Sequence, residues 1–125
     1  MKLLDTHIML AVLGQVYWSL PENILHELSS PQDSFVSVVS IWEVAIKYRI
    51  GKLKISIPLN LLPIVIADQN IGILPITTEH ALSSIQPEII TKDPFDRLLL
   101  GICAAEGMKL LTMDHAMVDH PLAWR

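Results

Sequence analysis

Four carboxylates stand where this chain is expected to turn from strand into helix: Asp5 after Lys2-Leu3-Leu4, Glu43 after Phe35-Val36-Ser37-Val38-Val39, Asp96 within Asp93-Pro94-Phe95-Asp96-Arg97, and Asp114 after Leu110-Leu111-Thr112. In a parallel α/β sheet, residues just past the carboxyl ends of neighbouring strands converge on one crevice, so acids far apart in sequence can meet in space. Once together they repel. At about 6 Å and an effective dielectric of about 20, each pair costs roughly 3 kcal/mol, and six pairs sum to more than about 10 kcal/mol. That rivals the roughly 5–15 kcal/mol that holds a whole domain together. Such a cluster must take up protons or hold a cation, and a hard, oxygen-rich donor set suits Mg2+ or Mn2+.

The elements that position these acids alternate. Short apolar segments at about 2–5, 35–39, 73–76 and 109–112 read as strands buried on both faces, each followed by a helical pattern. Ser40-Ile41-Trp42-Glu43 has capping-box spacing and opens a helix to about Ile50, with Gly51 at its end. Asp93-Pro94 reads as an N-cap followed by an N1 proline. Beyond it Phe95, Leu98, Leu99, Ile102 and Cys103 recur at helical spacing until Gly107. Further helices are expected at about 21–30, 59–70 and 78–85, the last opened by Thr77 or Thr78, with a short turn after Asp114 and an edge strand in Pro121–Trp124. The expected fold is α/β: one domain over 1–125, with a central parallel sheet of four to five strands flanked by helices.

Length and composition set the bounds. At 125 residues and 51% hydrophobic, the chain fits one compact domain. A net charge of −4 argues against an extended surface for neutralising polyphosphate, although a small nucleic-acid enzyme needs only a local basic patch and can use metal for the rest. Lys2 before the apolar Ile8–Leu13 stretch faintly resembles a signal peptide, but Asp5 and His7 interrupt it, so it reads as part of the fold. Asn60, Pro63 and Asp68 break the longest apolar candidate, so no membrane span is expected. The single cysteine, Cys103, fits a reducing compartment, and the cytoplasm is the expected location.

Each acid also has an ordinary structural duty open to it. Asp5 can cap a helix beginning at Thr6, Glu43 can serve Ser40 and pair with Lys47 at i,i+4, Asp96 favours the helix dipole from a first turn, and Asp114 can cap a last turn. Asp93 is the best case for a purely structural acid, because N-cap geometry turns its side chain to the backbone amides, so it is held out of the metal shell. What favours chemistry is position: four strand ends each supply one acid.

The stretches around the acids add a resemblance. Leu3-Leu4-Asp5-Thr6-His7, Ser37-x-x-Ser40-x-Trp42-Glu43-Val44-Ala45-Ile46-Lys47, Gly51-Lys52-Leu53, Leu74-Pro75-Ile76-Thr77-x-Glu79-His80-Ala81, Asp93-Pro94-Phe95-Asp96-Arg97-Leu98-Leu99 and Leu111-Thr112-x-Asp114 occur in order along almost the entire chain. Together they resemble the PIN-domain ribonucleases, closest to the VapC-type toxins of toxin–antitoxin pairs. The resemblance implies a Rossmann-like sheet, an acidic Mg2+ or Mn2+ site at Asp5, Glu43, Asp96 and Asp114, metal-dependent cleavage of RNA, homodimers, and neutralisation by a small cognate antitoxin. It departs at Glu88–Lys92, where relatives often carry histidines, and at Met113, where a basic residue is frequent. Both departures touch substrate grip and leave the four acids intact.

In that chemistry Asp5 and Asp96 are expected as direct ligands, with Glu43 and Asp114 acting through water, and Thr112 as a hydrogen-bonding support. Thr6 reads as an ordinary strand-end residue. Lys47, Arg49, Lys52 and Lys54 place four of the nine basic residues within eight positions. Lys47, Arg49, Lys52 and Arg97 are the candidates for RNA phosphate, although such a run is commonly a solvated helix face, and Lys47 and Arg97 can instead pair with neighbouring acids. Tyr17, Trp18 or Tyr48 could stack on bases, whereas Trp42 and Trp124 read as core or dimer contacts. His115 and His120 give no zinc spacing, and His7 and His80 receive no role. A receiver domain would want paired acids on its first strand and a lysine after its last, and a dehalogenase-type phosphatase Asp-x-Asp; the chain has neither. The rival of another class is a degenerate nuclease fold retained to bind a partner. A mean hydropathy of +0.45 adds weakly to the expectation of a dimer.

Overall fold

The computed structural model describes residues 1–15, 20–29 and 33–124. Four strands, β1 (Lys2–Leu4), β2 (Ser34–Ser37), β3 (Gly72–Leu74) and β4 (Lys109–Leu111), pair in parallel in the order β3-β2-β1-β4. Leu3 stands beside Phe35 on one side and Leu110 on the other, and Leu4 beside Leu111. Successive side chains of a strand point to opposite faces, and here both faces are buried. Leu4, Val36 and Leu111 enter one apolar cluster with Ile8 and Met9 of α1 (Thr6–Val12), Ile24 of α2 (Glu22–Leu28) and Leu62 and Ile66 of α4 (Leu62–Asp68). Leu3 and Leu110 enter a second with Leu99, Leu100, Ile102 and Cys103 of α6 (Pro94–Glu106). Adjacent apolar pairs, Leu3-Leu4, Phe35-Val36 and Leu110-Leu111, thus feed one core on each side.

Helix α3 (Val38–Arg49) begins with no loop after β2 and contributes Val39 to the second cluster and Val44 to the first. It therefore lies across the carboxyl edge of the sheet. The expected opening at Ser40 is corrected here. Ser37, still extended, accepts a hydrogen bond from the Val39 amide at 3.0 Å and is the cap, so the helix starts about one turn early. The β-branched pair Val38-Val39 suggested strand, but packing of Val39 under α6 overrides that propensity. Strand β3 likewise stops before Pro75, and the expected helix at 59–70 is a 3-10 turn (Leu59–Leu61) running into α4. Helix α5 (Thr78–Leu82) is shorter than its pattern suggested and is opened by Thr77 with His80 as the reciprocal partner.

Helix α6 behaves as read. The Asp93 carboxylate accepts from the Phe95 and Asp96 amides, Pro94 fills the first turn, and Gly107 ends the helix at φ 68°, a left-handed conformation in which a side chain would be strained. The tail forms a one-residue parallel bridge, Ala123 beside Leu110, with Leu110 donating to the Leu122 carbonyl and Trp124 to that of Leu110. This is the fifth strand at its minimum. Among the described residues no helix is long and apolar enough to cross a membrane.

Candidate active site

Asp5 immediately follows β1 and caps α1: its Oδ1 accepts from the Ile8 amide at 2.8 Å. Its Oδ2 accepts a short hydrogen bond from the Thr112 hydroxyl, directly beyond the neighbouring strand β4. The same hydroxyl oxygen accepts from the Asp114 amide at 3.0 Å, and Asp114 Oδ1 accepts from the Ala116 amide at 2.8 Å. Thr112 thus bridges two strand ends and fixes both acids. Glu43, one turn into α3, accepts from Thr6 Oγ1 at 2.6 Å on Oε1 and from Lys47 Nζ at 2.5 Å on Oε2. The Ser40 hydroxyl lies 3.0 Å from Thr6 Oγ1. Thr6 has a single hydroxyl hydrogen, which the carboxylate takes, so Ser40 supplies the hydrogen of its own contact.

Asp5, Thr6, His7, Glu43, Lys47, Asp93, Asp96 and Asp114 line one small hollow of about 30 Å³. All four acids singled out in the sequence therefore face one space, and Asp93 joins them at its rim. The electrostatic cost is visible at Asp96 and Asp5. Burial pushes the Asp96 carboxyl up to about 7 from 3.8, and the charges of Asp93, Asp114, Glu43 and Asp5 push it the same way. Burial likewise raises Asp5, with Asp114 adding to it, against the lowering effects of the Thr112 and Ile8 hydrogen bonds and of His7. Among the described residues Asp96 is the acid of this group whose carboxylate accepts no hydrogen bond. It is poised and unsatisfied.

A family model for the PIN domain matches residues 2–121. The chain belongs to the PIN domain family. No curated protein matches it. PIN domains are in general nucleases and typically use divalent metal ions. The acids of this PIN domain satisfy the chemical half of that requirement. They are hard oxygen donors crowded until two of them resist ionisation, which is the condition a cation relieves. Among the described residues no three of them form a ready-made cage, so the acids fit the ion by donor type and charge alone.

The basic residues divide sharply. Lys47 lines the acid hollow. Burial alone would lower its pKa, but the hydrogen bond and charge of Glu43, with Asp93 and Asp96, raise it and hold the ammonium charged. Arg97 donates to both Glu88 oxygens, at 2.5 and 3.3 Å, and to the Ser83 carbonyl at 2.8 Å, so it ties the loop before α6 to that helix. Arg49 lines a separate cleft of about 600 Å³ with Ile41, Tyr48 and Leu59, and Lys52 is exposed past Gly51. That cleft is far larger than the acid hollow but carries no acid; chemistry rather than volume places the site.

Thr6 opens α1 rather than ending a strand. Its hydroxyl holds Glu43, a partner 37 residues away that no local pattern announces. Trp42 is neither core nor buried: it is 56% exposed and meets Phe95 edge to face at 5.5 Å. Tyr48 is exposed beside the larger cleft, while Tyr17 and Trp18 lie outside the described residues. His80 is buried on the opposite flank, bonded through Nε2 to Glu106 at 2.7 Å and accepting from the Thr77 amide on Nδ1. It is a structural histidine. Cys103, buried with its thiol pushed up to about 12, is no nucleophile.

Proposed function

We propose that the protein is a Mg2+- or Mn2+-dependent endoribonuclease and the toxin of a toxin–antitoxin pair. The observation that carries the nuclease reading is the convergence of Asp5, Glu43, Asp96 and Asp114 on one hollow at the carboxyl edge of the sheet. Asp5 and Asp96 would hold the ion directly. Asp5 is stiffened by two hydrogen bonds but keeps a lone pair on each oxygen, and Asp96 is unpartnered. The chemistry a divalent ion would supply there is neutralisation of a phosphate oxygen and a lowered pKa for a bound water. Asp114, anchored through Oδ1, keeps Oδ2 and would be the group to orient a water and accept a proton from it. Glu43, whose oxygens each take one hydrogen bond and keep a lone pair, would act on the site through water.

The test is cleavage of RNA by purified protein, freed of any inhibitor, in Mg2+, Mn2+ or EDTA. Cleavage in the presence of metal and none in EDTA is the expected result; equal cleavage in EDTA overturns the reading. The toxin role, the small antitoxin, the homodimer and a cytoplasmic setting belong to the same proposal. Exposed Trp42, Tyr48 and Ile50 on and just past α3, with Ile64 on α4, support association with a second protein surface. Growth arrest on expression, relieved by the adjacent reading frame, is the expected outcome; indifference to both sinks the toxin role alone. A degenerate fold kept only to bind a partner is disfavoured by the presence of all four acids around the hollow.

A further inference from the structure

Glu43 and Lys47 stand one turn apart on α3, the spacing at which side chains of a helix meet. Pairs of this kind usually lie on a solvated face. This one does not: Glu43 is 5% exposed, and its carboxylate and the Lys47 ammonium both face the acid hollow. The Lys47 side chain enters from the rim, 37% exposed, and donates to Glu43 Oε2, while Thr6 donates to Oε1. Glu43 is thereby satisfied by groups of its own chain. Around the hollow stand five carboxylates, from Asp5, Glu43, Asp93, Asp96 and Asp114, and one ammonium.

Two-metal phosphodiesterase sites set their ions about 3.5–4 Å apart. A second ion beside one held by Asp5 and Asp96 would draw on Glu43, whose Oε2 the Lys47 ammonium already holds while Thr6 holds Oε1. To bind a second ion, the site would have to displace the ammonium from a charge-assisted hydrogen bond and leave two like charges side by side. We propose that Lys47 is a positioning residue whose ammonium takes the place of a second divalent ion, so that the site binds one ion, on the Asp5 and Asp96 side. The inference rests on the metal-dependent reading given above. It deepens that reading by fixing the number of ions and by giving Lys47 a task other than gripping phosphate.

The experiment needs no RNA. Mn2+ binding to the full chain is counted by the loss of the free-ion paramagnetic resonance signal and by calorimetry, for the wild type, Lys47→Met and Lys47→Arg, with melting of the metal-free proteins followed alongside. The expected result is one Mn2+ per chain for wild type and Lys47→Arg, and two for Lys47→Met, the second bound more weakly. Metal-free Lys47→Met melts below wild type, because a buried carboxylate has lost its counter-ion, and Lys47→Arg recovers most of the difference. Two ions on the wild type overturn the proposal whatever the variants do. So does a single ion of unchanged affinity on Lys47→Met, which would make the lysine merely a helix-stabilising partner. If none of the three proteins binds Mn2+, the metal-dependent reading fails and this inference with it, an outcome distinct from either of the others.

Discussion

Asp96→Asn removes the most strained charge of the hollow and should separate stability from activity. The Asp96 carboxyl lies at about 7 in the folded protein against 3.8 in its ordinary state. For a carboxyl raised on folding, protonation favours the native state. The stability it contributes is fully present below about pH 4 and is lost as the pH rises through about 7, where the folded protein must carry the charge. A shift of this size corresponds to roughly 4 kcal/mol if nothing screens it. Asp96 is only half buried, so water screens much of the interaction and about 1–2 kcal/mol is the reasonable expectation. Asparagine is neutral at every pH. In EDTA at about pH 8 the variant should therefore melt about 4–8 °C above the wild type, a gap that closes as the pH falls towards about 4. Adding Mn2+ should reverse the order, stabilising the wild type and leaving the variant nearly unmoved, while RNA cleavage by the variant falls to background. Circular dichroism melts across this pH range, with and without metal, test every step. A variant no more stable than wild type at pH 8 in EDTA, or a gap that persists unchanged in acid, would refute the claim that the acids repel across one hollow.

Three further substitutions test parts of the frame. Thr112→Val keeps the shape but removes the donor to Asp5 and the acceptor of the Asp114 amide; denaturant unfolding should show a loss of about 1–3 kcal/mol, and calorimetry a weaker affinity for Mn2+. At Gly101 an added Cβ would stand 2.8 Å from the His80 carbonyl oxygen and 3.1 Å from Arg97 Nη1. Gly101→Ala must therefore push α5 off α6 and should cost about 1–3 kcal/mol in the same assay, with the acid hollow unaffected in Mn2+ binding. His80→Phe fills the buried space but leaves the Thr77 amide and Glu106 without their partner, and a loss of about 1–3 kcal/mol is expected, with early hydrogen exchange in α5.

What could be read from sequence was whatever is written locally. Asp93 and Asp96 are the sharpest case. Proline at 94 fixed which acid was the cap, and the structure has Asp93 accepting from the amides of Phe95 and Asp96. The strands were legible as short apolar runs buried on both faces, but two of their ends were not, since β2 stops at Ser37 and β3 at Leu74, inside the runs that mark them. The helix start at Ser37 was not legible either, since two serines three residues apart offer the same chemistry and only the packing of Val39 beneath α6 chooses between them. Thr6 and Arg97 are each defined by a distant partner that sequence does not announce, Glu43 for the threonine and Glu88 with the Ser83 carbonyl for the arginine. Neighbouring acids had seemed the natural partners of Arg97, but its helical position turns it towards α5.

The same long-range contacts explain how the fold tolerates its own site. Left alone, the acids at the carboxyl edge would oppose folding by an amount comparable to a domain's stability. Each is instead given a second bond to the frame: Asp5 caps α1 and takes Thr112, Asp114 caps the turn beyond β4, and Glu43 is held between Thr6 and Lys47. Asp96 alone is left without such support, and it carries the largest upward shift among the carboxylates. The frame thus concentrates the unrelieved repulsion at one side chain. That is where a cation gains most by binding, and where a single carboxamide should most clearly exchange affinity for stability.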